Sequence, residues 1–300
     1  MDLWIVASVA AALFQTVRFM LQKVLSMDLL STAGSTFARF AYAAPAALVL
    51  TVFYIRLRDA DVPALSHAFW GYAWAGALAQ ILATACVVAL FRQRNFAVGI
   101  TFKKTEVIQA ATVGVAFFGD AVSFAGWGAI LIGLVGVLLL SRSPDMDAGL
   151  WQSLKSRATL LGLASGLLFA ISGTTYRAAS LEIASEDPFL RAAVTLVCVT
   201  ASQFAAMALW LRWKEPGQVT AVWQARRVAV WAGLTSMAGS LGWFIAFTLQ
   251  TAAYVKAVGQ IELIFSIMAS VLFFKEKITA RELIGIGFLA VSILVFVLLV

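Results

Sequence analysis

Ten long apolar runs constrain this chain more than any other feature of its sequence. A membrane-spanning helix needs about 20 consecutive, mainly apolar residues. Runs of that length lie at roughly residues 3–24, 35–57, 68–91, 97–118, 122–141, 158–180, 188–211, 223–249, 253–274 and 280–300. The sequence therefore predicts an all-α polytopic membrane protein with ten transmembrane helices.

The composition excludes a soluble fold. Hydrophobic residues make up 62% of the chain and charged residues only 12%, whereas an ordinary soluble domain carries about 25% charged residues. Polar surface could not cover such a chain in water. The net charge of +7 comes mostly from short loops between the apolar runs, which is the pattern of membrane orientation signals. We therefore expect a lipid bilayer, and no nucleic acid, as a partner.

The basic loop residues predict the orientation of the helices. With the N-terminus outside, the cytoplasmic loops contain Lys23, Arg92, Arg94, Arg142, Lys155, Arg157, Arg212, Lys214, Arg226, Arg227, Lys275, Lys277 and Arg281. The opposite side carries only Arg56, Arg58 and Arg191. Positively charged loops remain in the cytoplasm. This asymmetry predicts a multi-pass protein of the bacterial inner (plasma) membrane with both termini in the periplasm.

The two halves of the chain resemble each other. Residues 118–123 (FGDAVS) match residues 274–279 (FKEKIT), and the same offset aligns Glu106 with Glu262. Each half contains five predicted helices, and five is an odd number, so the second half enters the membrane from the opposite face. Inverted repeats of this kind place a substrate site near the midplane, between the halves.

The domain boundaries follow from this repeat. The first repeat covers residues 1–141, a polar linker covers 142–157, and the second repeat covers 158–300. The acidic turn followed by serine or threonine, which occurs at residues 119–123 and again at 275–279, resembles the drug/metabolite transporter superfamily and especially its EamA branch. The resemblance implies a secondary transporter of small organic metabolites, with no bound cofactor, and it extends over nearly the whole chain.

Ionisable residues within apolar runs are candidates for the substrate site, because they are costly in hydrocarbon and usually face a cavity or a partner. In the fourth run, Lys103, Glu106 and Gln109 step by three and share roughly one face of a helix. Glu106 is suited to bind an ammonium group or a proton, and Lys103 a carboxylate or phosphate. The alternative is an internal ion pair that holds the helices together.

The ninth run contains Lys256, Gln260 and Glu262. In one continuous helix, Lys256 and Gln260 share a face, whereas Glu262 points about 120° away from Lys256. Glu262 either borders the central cavity, as the repeat partner of Glu106, or pairs with a neighbouring helix. A buried carboxylate here would be a site for proton coupling.

The first run and three aromatic residues complete the set of candidates. Gln15 and Arg18 lie on one polar stripe of the first helix. Arg18 is suited to bind a substrate carboxylate through its planar guanidinium, or to form a structural pair with a buried glutamate. Trp74, Trp243 and Tyr42 lie within their helices and are candidates to stack on a flat or cationic substrate. Ordinary packing is the alternative for each aromatic residue.

These features favour a carrier over an enzyme. The sequence contains no HExxH motif, no P-loop and no cluster of histidine, cysteine and aspartate, so no metal and no cofactor are expected. The first hypothesis is export of an amino acid or related metabolite by alternating access. The alternatives are an uptake permease for a vitamin, organic anion or organic cation, a membrane-embedded enzyme, and a channel. The carrier would be a monomer or a homodimer.

Overall fold

The computed structural model describes residues 2–91, 106–140, 157–274 and 280–299. In these parts of the chain the secondary structure is helical, without strands. The helices are α1 (Leu3–Asp28), α2 (Thr32–Arg58), α3 (His67–Phe91), α4 (Glu106–Val113, continued by a π-helical turn over Gly114–Phe118), α5 (Phe124–Leu140), α6 (Arg157–Leu181), α7 (Pro188–Lys214), α8 (Gln218–Gln224), α9 (Arg226–Leu249), α10 (Ala252–Val258), α11 (Ile261–Phe274) and α12 (Ala280–Leu299).

The predicted membrane character is confirmed. Six helical segments are long and apolar enough to cross a bilayer: Leu3–Met27, Thr32–Arg58, His67–Phe91, Pro188–Lys214, Arg226–Leu249 and Ala252–Ala269. Shorter apolar helices cover Glu106–Phe118, Phe124–Gly136 and Leu283–Ser292. Ten crossings therefore stay a prediction, while the helical membrane class is established.

The predicted helix over residues 253–274 is interrupted. Its chain forms α10 and α11, separated by Gly259 and Gln260. Around this junction the backbone makes short turns, in which Glu262 N–H donates to Gly259 C=O at 3.1 Å. The expectation that Glu262 points 120° away from Lys256 assumed one continuous helix, and this assumption is wrong. The relative positions of these side chains depend on the junction.

The helices of the two predicted halves interlock. The most extensive contacts join α3 with α6, α1 with α9, α5 with α12, and α2 with α7. Each helix has a counterpart in the other half: α6 for α1, α7 for α2, α9 for α3 and α12 for α5. Replacing every helix by its counterpart gives the same four pairings. Likewise α4 packs on α6, while α10 and α11 pack on α1. The first helix of each half thus packs against helices of the other half.

Glycines allow α9 to pack closely against the first half. A Cβ atom on Gly242 would lie 2.9 Å from the carbonyl oxygen of Ala7 in α1. A Cβ atom on Gly233 would overlap the Cβ of Tyr42 in α2. Small residues at such crossings allow helix backbones to approach in a membrane. This close packing holds one face of α9 against the polar stripe of α1.

Candidate substrate-binding site

A chain of buried hydrogen bonds connects α1, α9 and α11. The Gln15 Nε2 donates to the Glu262 carboxylate at 3.0 Å. The Trp243 indole N–H donates to Gln15 Oε1 at 3.1 Å. All three side chains are buried, and Glu262 is fully so. Three residues that are far apart in the sequence therefore form one continuous polar group.

The same tryptophan borders a second buried charge. The Lys256 ammonium lies 3.7 Å from a carboxylate oxygen of Glu106, and both residues are buried. Its nitrogen is 5.1 Å from the ring centroid of Trp243 and 5.6 Å from those of Phe169 and Phe247. Trp243 thus contacts both polar groups, and together they form a single buried cluster.

Each repeat-related carboxylate faces a partner from the other predicted half. Glu106 comes from the first half and faces Lys256 of the second. Glu262 comes from the second half and accepts from Gln15 of the first. The two glutamates therefore lie in the same cluster, each in contact with a residue of the other half. A relative movement of the halves would change both contacts.

Arg18 lies close to this cluster and is fully buried. Its Nη1 donates to Gln22 Oε1 at 2.6 Å, and its guanidinium lies 3.9 Å from the Phe19 ring centroid. It is near enough to Glu262 for the two charges to interact. Its Nη2 has no hydrogen-bond partner among the residues that the structure describes. Arg18 therefore offers a donor to a carboxylate.

Two glutamine side chains provide further acceptors. Gln260 is buried, and its amide nitrogen would lie 3.0 Å from a Cβ atom on Gly133. Gln109 is half-buried. Within the described parts of the chain, the Oε1 atoms of Gln260 and Gln109 lack hydrogen-bond donors. Both amides are thus able to accept from a polar ligand.

Two predicted site residues, Trp74 and Tyr42, are not part of the cluster. Trp74 is 59% exposed on the outer surface and packs on Trp70, because the neighbouring face of α3 carries the buried alanines Ala73 and Ala77. Tyr42 lies at the crossing of α2 with α9 and lines a peripheral apolar groove. Lys103 lies outside the described residues. A role for Trp74 or Tyr42 in stacking on the substrate therefore stays a prediction, and it would lie outside this cluster.

Sequence reasoning missed Arg39 as a candidate, although it lies within the second apolar run. Its guanidinium donates to Ser236 Oγ at 2.7 Å, to Thr84 Oγ1 at 2.8 Å and to Ser240 Oγ at 3.3 Å. The side chain is buried. Ser236 and Ser240 are on α9, so this arginine connects α2 and α3 of the first half to the second. An arginine inside an apolar run was the available signal.

Replacing Arg39 with lysine is expected to lower the stability of the protein by about 1.5–3 kcal/mol, the value of a hydrogen bond to a charged group. A lysine keeps the charge but cannot reach three hydroxyls with one planar fork. The thermal unfolding midpoint of detergent-purified protein measures the effect. Arg56→Lys is the control, because Arg56 is exposed on the same helix, and equal midpoints for both variants would contradict this role.

Arg177 lines a polar cleft beside the cluster. Its Nη1 donates to the carbonyls of Phe247 at 2.7 Å and Gln250 at 2.8 Å, and its Nε lies 3.9 Å from Asp120. The cleft has a volume of about 320 Å³. Its lining residues are Tyr72, Phe118, Asp120, Thr174, Arg177, Ala178, Leu181 and Glu182. By the predicted orientation, this cleft is on the periplasmic side.

Replacing Gly259 with alanine is expected to disturb the cluster. The added Cβ would lie 2.5 Å from the indole of Trp243, and a buried indole cannot move aside. Overpacking of this kind costs about 1–3 kcal/mol, which thermal unfolding would show. Gly71→Ala is the control, because a Cβ atom there meets no neighbour within 4 Å. Unchanged stability of Gly259→Ala would show that the junction tolerates a side chain.

Comparison with known proteins agrees with this architecture. Residues 156–298 match the EamA-like transporter family. The match covers the second half of the chain, which is therefore similar to this family. The EamA-like half contributes Lys256, Glu262 and Trp243 to the cluster, and it carries α6 to α12. The family is one of the drug/metabolite transporter superfamily, so the match indicates a transporter.

Solved structures extend the likeness beyond the EamA-like half. One of them, titled "Crystal structure of protein", is 14% identical and superposes with a TM-score of 0.64. The superposition covers 97% of this chain and 99% of the other, so the likeness includes both predicted halves. At this identity it shows the fold alone. No curated protein matches the chain.

Proposed function

We propose that this protein is a secondary active transporter that moves a small organic metabolite across the bacterial inner membrane by alternating access. The observation that carries the proposal is the buried cluster of Glu106, Lys256, Trp243, Gln15 and Glu262 between the predicted halves. Charges in a membrane interior are costly and mark substrate or ion pathways. The family match supports transport as the activity.

The helix contacts support an inverted repeat. The set of main helix pairings is unchanged when each helix is exchanged with its counterpart in the other half. Such symmetry would allow two related conformations, one open to each side of the membrane. The junction at Gly259 and Gln260 adds a discontinuous helix beside the cluster. Transporters built from inverted repeats bind substrates at such junctions near the midplane. Ten crossings and periplasmic termini complete this proposal.

An amino acid or related metabolite, moved outward, is the proposed substrate class. The cluster contains carboxylates and an ammonium, while Arg18 Nη2 adds a donor for a carboxylate group. A site with both signs of charge suits a zwitterion. Proton coupling would use Glu106 or Glu262, and the carrier would act as a monomer or a homodimer.

An uptake permease for an organic cation is the second candidate. The aromatic rings around Lys256 favour it, because aromatic faces attract organic cations. The direction of transport depends on the gradients and on the coupling, so both candidates use the same site.

Counterflow in proteoliposomes tests the proposal. Vesicles preloaded with an unlabelled amino-acid mixture should accelerate the uptake of each labelled amino acid that the carrier accepts, and uptake should saturate. A carrier exchanges solute without ATP, whereas a channel gives linear flux without trans-stimulation. Linear flux for all solutes, or flux equal to that of protein-free vesicles, would contradict the carrier. A separate set of vesicles loaded with organic cations tests the second candidate.

A further inference from the structure

The surroundings of Lys256 form an aromatic cage. Rings of Trp243, Phe247 and Phe169 lie 5.1–5.6 Å from its ammonium, and the Glu106 carboxylate lies 3.7 Å away. A cation within about 6 Å of an aromatic centroid is attracted to the ring face, and several such rings recognise organic ammonium groups. This geometry is the geometry of an ammonium receptor.

The cation and its receptor come from different helices. The receptor side chains belong to α4, α6 and α9, whereas Lys256 belongs to α10. The seven residues of α10 are bounded by the extended backbone of Gln250 on one side and by the Gly259–Gln260 junction on the other. A movement of α10 alone would therefore take the lysine out of the cage and leave the receptor side chains in place.

The cage is close to the polar cleft. Thr174 lines the cleft. The adjacent residue is Gly173, and a Cβ atom there would lie 3.2 Å from both Lys256 Cε and the Phe247 ring. Arg177, also in the cleft, donates to the carbonyl of Phe247. One turn of α6 thus separates a solute in the cleft from the cage.

We propose that the cage binds the ammonium group of the transported solute, and that Lys256 occupies it when no solute is present. The solute is then an organic amine or quaternary ammonium, including the ammonium end of an amino acid. The tethered lysine then provides a positive charge beside Glu106 in the empty carrier. This inference rests on the proposed carrier function, because it names the class of solute that the site accepts.

Binding of tetramethylammonium to purified, full-length variants tests the proposal. Lys256→Met removes the tethered cation and keeps a side chain of similar length, whereas Lys256→Arg retains a cation. Because a ligand that binds the folded state stabilises it, the thermal unfolding midpoint is followed against tetramethylammonium chloride, with sodium chloride as the salt control. The apparent Kd of Lys256→Met should be at least tenfold lower than those of the wild type and Lys256→Arg, since a tethered competitor has a high effective concentration.

Two outcomes would overturn the proposal. One is equal binding by Lys256→Met and the wild type. The other is that the gained binding survives when Trp243→Leu is added, because the cage would then have no part in it. If Lys256→Met does not fold, the double variant Lys256→Met with Glu106→Gln removes both charges of this ion pair. It should still bind tetramethylammonium through the rings more tightly than the wild type, and failure to do so overturns the proposal.

Failure of the cage and failure of the carrier give different results. Thermal shifts require no transport, so cage-dependent binding by a protein that shows no counterflow would contradict the proposed function alone. Saturable counterflow by the wild type would contradict the cage alone if tetramethylammonium binding is unaffected by substitution of both Lys256 and Trp243.

Discussion

Glu106→Ala is expected to destabilise the protein by about 3–5 kcal/mol, which is the usual cost of removing one partner of a buried ion pair. Lys256 would lose the carboxylate that lies 3.7 Å from its ammonium. Replacing both residues, as Glu106→Gln with Lys256→Met, should restore most of the loss, since neither buried side chain is then charged. Thermal unfolding of Glu106→Gln, Lys256→Met and the double variant, compared as a double-mutant cycle, measures the coupling between the two residues.

The matched control for this cycle is Glu186→Ala. Glu186 is exposed, and substitutions at exposed sites usually change stability by less than about 0.5 kcal/mol. Independent, additive effects of Glu106→Gln and Lys256→Met would show that the two charges do not stabilise each other.

Glu262→Gln is expected to abolish solute accumulation driven by a pH gradient. Glu262 is fully buried and accepts a hydrogen bond from Gln15. Its carboxylate can bind and release a proton, whereas the amide of glutamine cannot. One proton crossing one pH unit releases about 1.4 kcal/mol, which supports about a tenfold concentration ratio. In the variant, the ratio of the solute concentrations inside and outside the vesicles should stay near one, while exchange of solute for solute continues. Glu106→Gln should behave in the same way.

The measurement is accumulation of labelled solute in proteoliposomes with an imposed pH difference. Glu186→Gln serves as the control, since its carboxylate is exposed. Full accumulation in both Glu262→Gln and Glu106→Gln would exclude these two carboxylates from proton coupling. Loss in only one variant would assign coupling to that carboxylate.

The sequence predicts the membrane class because hydrocarbon imposes a strong constraint. Apolar runs of about 20 residues have few soluble alternatives, and polar residues within them stand out. The same constraint marks Glu106, Glu262, Lys256 and Gln15 as candidates, and the structure places these residues in one cluster with Trp243. The repeat alignment also indicates that the two glutamates occupy related positions.

The pairing of these residues could not be predicted from the sequence. That Lys256 faces Glu106 depends on the junction at Gly259 and Gln260, which a periodicity argument treats as continuous helix. Trp74 was expected to line the site because it lies within its helix. The sequence does not reveal which face of an apolar helix meets lipid, so the exposure of Trp74 could not be predicted. Arg39 was missed because its three partners are uncharged hydroxyls on two other helices.

Access to the interface between the predicted halves tests the central claim most directly. Ser240 lies on α9, one turn from Trp243, and is buried against Arg39. Ser240→Cys, with Cys86 and Cys198 replaced by alanine, would be exposed to a membrane-impermeant thiol reagent from each side of oriented vesicles. An alternating carrier predicts labelling from both sides, with rates that change in opposite directions when a transported solute is added on one side. Two results would contradict the account. One is that the cysteine is labelled from neither side, and the other is that it is labelled from both sides with relative rates that no solute changes.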